Sequence, residues 1–188
     1  MPRLNVIVAS TRPGRIGGQV AGWFTQIARE HGGFDVHVVD LAELNLPFLD
    51  EPEPAVEGHP YVHEHTRQWS DITAAADAYI LVMPEYNQGY PASLKNALDY
   101  LYYEWHDKPV ALVSYGMTSG GLRAAHLIKP VLLALKMVPV SESVVVHLRQ
   151  AVTPDGTLAP TAAMHDAAKA TLDELQRWTT ATAVLRAA

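Results

Sequence analysis

The chain has 188 residues, a formal net charge of −6 and no cysteine. That length suits a single domain over residues 1–188, because roughly 70% of an unfolded chain of this size can be buried without covalent staples. The missing thiols exclude disulfides, thiolate metal sites and a cysteine nucleophile, and the acidic balance argues against a nucleic-acid binder, whose affinity rests on lysine and arginine.

The opening "MPRLNVIVAS" holds no hydrophobic stretch of signal-peptide length and runs directly into a strand pattern. No apolar run approaches the roughly 20 residues that span a bilayer. The expectation is a cytoplasmic protein with a small-molecule ligand, without nucleic acid or membrane as partner.

Five strand-like segments follow: "LNVIVA" at 4–9, "FDVHVVDL" at 34–41, "AYILVM" at 78–83, "VALVSY" at 110–115 and "VPVSESVVVHL" at 138–148. Helical spacing covers 18–30, 61–76, 92–104, 120–136 and 161–186. In "ASLKNALDYL", Leu94, Ala97, Leu98 and Leu101 fall on one helical face, and Pro91 stands just ahead, where its missing N–H matters little. Alternating strands and helices predict a parallel sheet covered on both faces, and the continuous apolar runs of the first, third and fourth strands suit burial on both sides. The expected architecture is a flavodoxin-like α/β sandwich with a five-stranded parallel sheet in the order 2-1-3-4-5, which places ligands at the carboxyl ends of strands one, three and four. The acidic, proline-rich stretch 45–60 reads as a surface excursion.

Those three strand ends carry the informative loops. "STRPGRIGG" leaves the first strand and opens a helix, where free amides and the positive dipole end favour an anion. Ser10 and Thr11 offer hydroxyls, Arg12 and Arg15 offer charge, and Gly14 and Gly17 admit close backbone approach. The alternative is an ordinary polar turn with solvated arginines. Neither G-x-x-x-x-G-K-[ST] nor G-x-G-x-x-G is present, which excludes the two commonest phosphate motifs. "MPEYNQGYPASLKNALDY" follows the third strand and "SYGMTSGGLRA" the fourth, each rich in donors and glycine beside a helix start.

The three loops resemble the signature loops of the NAD(P)H-dependent FMN reductases, flavodoxin-like oxidoreductases that include quinone, azo-compound and chromate reductases. The resemblance covers residues 4 to 145, and "PEYNQGYPASLKNALD" is its most specific part. It implies that Ser10, Arg12, Arg15, Ile16 and Gly17 hold the FMN phosphate. It further implies that Pro84, Glu85, Tyr86 and Asn87, with Ser114, Tyr115 and Gly116, hold the isoalloxazine. NADPH or NADH would be the co-substrate, a quinone, flavin or other small molecule the acceptor, and the assembly a homodimer or homotetramer. Ala9 stands where many members have glycine, Gly89 where many have serine, and Met117 and Thr118 fill a stretch often richer in glycine.

With FMN carrying the hydride chemistry, no catalytic side chain is needed, in keeping with a sequence that holds no evident triad. "GMTSG" is not a hydrolase elbow, because its serine stands fourth. Two rivals share the strand order. One is a non-enzymatic FMN electron carrier; the other is a phospho-signalling receiver, which would need a carboxylate cluster where this chain offers only Glu85. His59, His63 and His65 are read as a solvated helix start, with no metal expected, and H-x-x-x-H spacing aims His65 away from the other two. Tyr100, Tyr102, Tyr103 and Trp105 are assigned to core and subunit contacts, and Asp99, Arg123 and His126 to the surface.

Overall fold

A computed structural model describes residues 1–186. Its strands are β1 (Arg3–Val8), β2 (Asp35–Asp40), β3 (Ala78–Pro84), β4 (Pro109–Gly116) and β5 (Val138–His147), all parallel in the order β2-β1-β3-β4-β5. The helices are α1 (Gly17–His31), α2 (Leu41–Leu44), α3 (Glu64–Ala74), α4 (Ala92–Asp99), α5 (Leu122–Ala134), α6 (Leu148–Ala151) and α7 (Ala162–Arg186). The flavodoxin-like order expected from the sequence is therefore observed.

The strand side chains divide by the period of two that a pleated strand imposes. Leu4, Val6 and Val8 of β1, Ile80 and Val82 of β3, and Ala111 and Val113 of β4 face one layer, where Phe24 of α1 and Leu172 of α7 meet them. Ile7, Tyr79, Leu81, Met83 and Leu112 face the opposite layer, with Trp69 of α3, Leu98 of α4 and Ile128 of α5. β3 and β4 are buried along their whole length, whereas edge strand β2 leaves every residue at least partly open. The uninterrupted apolar runs in the sequence mark the central strands, as burial on both faces requires.

The helix expected over 92–104 ends at Asp99 instead, followed by a single 3-10 turn at Tyr103–Trp105. Side-chain anchoring accounts for the break. The Tyr100 hydroxyl donates to the Asp50 carboxylate at 2.9 Å, and the indoles of Trp69 and Trp105 donate to the carbonyls of Ala97 and Leu98 at 2.8 and 3.3 Å. Stretch 45–60 is pinned at its near end by Asn96, which accepts from Leu49 N at 3.0 Å and donates to Pro47 O at 2.7 Å. Among the described residues no helix is long and apolar enough to cross a membrane.

Candidate cofactor site

The three loops meet at the carboxyl ends of β1, β3 and β4. In the first, α1 begins without a side-chain cap or an acidic residue in its first turn. Its first backbone bonds run from Gln19 N and Val20 N to Ile16 O, so the amides of Gly17 and Gly18 precede the ladder and point their dipoles outward. Gly17 is required here by close approach, since a Cβ would overlap Ser10 Oγ and lie 2.6 Å from the Tyr115 hydroxyl. Ser10 Oγ and Tyr115 OH are both buried without a hydrogen-bond partner among the described residues. Burial pushes the Tyr115 phenol up to about 12, so it stays protonated and able to donate. The Ser10 hydroxyl lies beside the Tyr115 phenol and draws it down slightly against burial, yet both keep hydrogen-bonding capacity to spare, and their convergence on the start of α1 fits a ligand that accepts hydrogen bonds.

The two arginines differ. Arg12 is exposed and touches only the carbonyl of Pro13, at 3.3 Å. Arg15 is drawn into an ion pair with Asp40 at the end of β2, while its Nε is buried and unpartnered. Asp40 also accepts from Ala42 N at 2.9 Å as the cap of α2. Sequence reading missed Asp40; the clue was available in the strand order, which sets the ends of β1 and β2 side by side.

The second loop turns on two consecutive left-handed residues, Asn87 (φ 48°) and Gln88 (φ 69°). Reciprocal 2.9 Å bonds between Tyr86 and Gly89 close the turn, and Tyr86, 38% exposed as a residue, lines the crevice. The third loop also reverses through left-handed residues, Gly120 (φ 63°) and Gly121 (φ 91°), and a Cβ at Gly121 would come within 2.6 Å of Tyr115 N. Ser114 Oγ donates to Gly120 O at 3.0 Å, so that hydroxyl is engaged within the loop.

Glu85 is likewise engaged. Its carboxylate accepts from Ser119 Oγ at 2.5 Å, from Arg123 N at 3.0 Å and from Arg123 Nη1 at 3.0 Å. Burial pushes this carboxyl up, but the Ser119 and Arg123 hydrogen bonds outweigh it and hold the group below the usual carboxylate range.

A cleft of about 190 Å³ runs between these loops, lined by Arg12, Arg15, Ile16, Tyr86, Tyr115 and Gly116, with Pro84, Glu85, Met117 and Leu148 completing it. Of the sequence-predicted residues, Ser10 and Gly17 lie beneath it against Tyr115, Asn87 lies in the adjoining turn, and Ser114 lies under the glycine loop. A larger cavity of about 470 Å³ opens on the far side of Thr11, between α2 and α4. Its lining carries no charged side chain, so a phosphate has electrostatic reason to prefer the smaller cleft.

The histidines arrange themselves differently from the spacing argument. His63 precedes α3 in extended conformation, so it stacks on His65 at 5.2 Å, and the His65 ring meets Asp50 at 3.0 Å. His59 sits apart, 3.4 Å from Glu57.

A 2-1-3-4-5 sheet with an anion cradle after its first strand and donor-rich turns after its third and fourth defines a flavodoxin-like protein. A family model described as NADPH-dependent FMN reductase matches residues 2–151. An NAD(P)H-dependent FMN reductase of Schizosaccharomyces pombe is 43% identical over 127 residues, covering 67% of this chain and 64% of that protein, just under two thirds of its length. A quinone reductase of Pseudomonas putida strain KT2440 is 31% identical over 138 residues, covering 70% of each chain. Among solved structures, FerB of Paracoccus denitrificans, described as a flavoenzyme NAD(P)H:(acceptor) oxidoreductase, superposes with a TM-score of 0.77 at 21% identity, over 97% of this chain and 99% of its own. The chain belongs to the NADPH-dependent FMN reductase family, and by that membership it is an oxidoreductase that uses FMN and NAD(P)H.

Proposed function

We propose that this protein, as one flavodoxin-like domain, binds FMN in the crevice between its three loops and passes electrons from NAD(P)H to a quinone, free flavin or similar small acceptor. The observation that carries the site assignment is the convergence of unpartnered buried Ser10 Oγ and Tyr115 OH on the uncapped start of α1, beside Arg12 and Arg15. In this reading Ser10, Arg12, Arg15 and the amides of Ile16 and Gly17 hold the phosphate. Held there, FMN would supply two-electron hydride chemistry between NAD(P)H and the acceptor.

The chain's own groups then bind and orient. Pro84, Glu85, Tyr86 and Asn87 offer main-chain atoms and one half-open aromatic face; Ser114, Tyr115 and Gly116 form the opposite wall. Apart from Gly121 N, which donates to Ser119 Oγ, backbone amides of the 116–121 turn would offer donors to the negative charge that reduction adds, with no side-chain base needed. The loops would fix the orientation in which nicotinamide and flavin meet.

The quinone-reductase relative supports the choice of acceptor. The exposed Phe48, Leu49, Val56 and Val62, all close in sequence, would be covered in the proposed homodimer or homotetramer, whose interface cores are apolar. A cytoplasmic location fits the cysteine-free composition.

The enzyme and the electron carrier part company in one experiment. NADPH added without oxygen to the FMN-loaded protein is expected to bleach the flavin absorbance, and a soluble quinone to restore it. Flavin that binds but is not bleached by NADPH or NADH would assign the chain to the carrier class.

A further inference from the structure

Glu85 is one of the residues lining the cleft, yet all of the described hydrogen bonds of its carboxylate run to Ser119 and Arg123. Gly121, the residue that precedes α5, has no side chain to cap the helix, and no acidic residue occupies its first turn. Glu85, from a different strand, takes that place by accepting the Arg123 amide, the usual task of a carboxylate at a helix start. The Arg123 guanidinium closes the same contact, half exposed, while the Glu85 side chain is only 10% exposed. Ser119 completes the clasp by donating to Glu85 while accepting Gly121 N at 3.2 Å. The two loops pack closely here, since a Cβ at Gly116 would stand 3.1 Å from Gly121 N and 3.5 Å from Glu85 Cβ.

We propose that Glu85 and Arg123 form a positioning clasp, which locks the β3–α4 loop to the start of α5 and sets a balanced charge beside the cleft. The charge role rests on the reading that the cleft holds FMN; the locking role does not. A carboxylate at this wall opposes the negative charge that reduction adds to a flavin, and Arg123 offsets it. Breaking the clasp from its two sides therefore has opposite electrical results. Glu85→Gln removes the anion and leaves the cation, favouring the reduced flavin; Arg123→Gln leaves an uncompensated anion, favouring the oxidised one. Ser119→Ala loosens the same joint without changing charge.

The test has two readouts on the full chain. Hydrogen exchange on the flavin-free protein is expected to show faster exchange at Gly121 and Arg123 in all three variants, and unchanged exchange overturns the locking role. The midpoint potential of bound FMN is expected to rise in Glu85→Gln, fall in Arg123→Gln and hold in Ser119→Ala. Shifts of one sign, as general loosening would produce, or no shifts, overturn the charge role. A wild-type chain that takes up no FMN overturns the functional reading and the charge role together, while exchange still decides the clasp.

Discussion

The two ends of the sheet differ in how far their polar groups are satisfied by the chain. At the amino ends of β3 and β4, the 93%-buried Lys108 directs its ammonium to Thr73 O and Ala74 O at 3.0 Å and to the Tyr79 hydroxyl at 3.3 Å. Arg186 there meets the Asp107 carbonyl at 3.0 Å and the Asp77 carboxylate at 3.3 Å. At the carboxyl ends, among the described residues, Arg12 reaches only its neighbour's carbonyl, and Ser10 and Tyr115 keep buried hydroxyls with no partner beyond each other. Cations satisfied by the chain serve the fold, whereas donors left over beside a helix start are what the proposed phosphate site would use.

The largest expected effect breaks the carboxyl end. Arg12→Ala with Arg15→Ala removes two charge-assisted partners, so FMN affinity should drop at least about a hundredfold. Riboflavin, which has no phosphate, should bind as before. Equal losses for both ligands, measured by fluorescence titration, would remove the phosphate from this loop.

Lys108→Met breaks the other end. It strands the two carbonyls at the end of α3, and the expected outcome is a loss of about 1–3 kcal/mol in chemical denaturation with FMN affinity unchanged. Burial drives the Lys108 ammonium down to about 8, against an ordinary value of 10.5. The unfolded chain therefore binds more protons between those values, and the lysine's contribution to stability rises with pH across that window. The deficit of Lys108→Met relative to the native chain should widen from pH 8 toward 10; a constant deficit would contradict the buried, depressed ammonium.

The smallest effect sharpens the contrast between the two arginines. Asp40→Asn releases Arg15 from its partly exposed ion pair, a contact worth about 0–1 kcal/mol, so FMN should tighten by no more than about fivefold. Weaker FMN binding would mean that Asp40 holds Arg15 in its binding position.

Much of this was legible in the residue pattern. The apolar runs that became β3 and β4 marked a doubly covered centre, and strand order followed from alternation. The three loops were legible as loops because glycine, proline and donors cluster at strand ends. What stayed hidden depends on residues distant in sequence. Asp40 reaches Arg15 across 25 positions and Glu85 reaches Arg123 across 38, so no local pattern announces either pair. The early end of α4 is similar: helical spacing continues through Leu101, but Tyr100 is turned by Asp50, far earlier in the chain. His63 misled for a local reason, since helical spacing was applied to a residue that sits just outside the helix.

The central claim is that this crevice recognises a flavin by its phosphate. It is tested most directly by titrating the flavin-free wild-type protein with FMN and with riboflavin under the same conditions. Preference for FMN by at least about a hundredfold is predicted, from two charge-assisted contacts and the start of α1. Equal affinity for the two, or no binding of FMN, would contradict it.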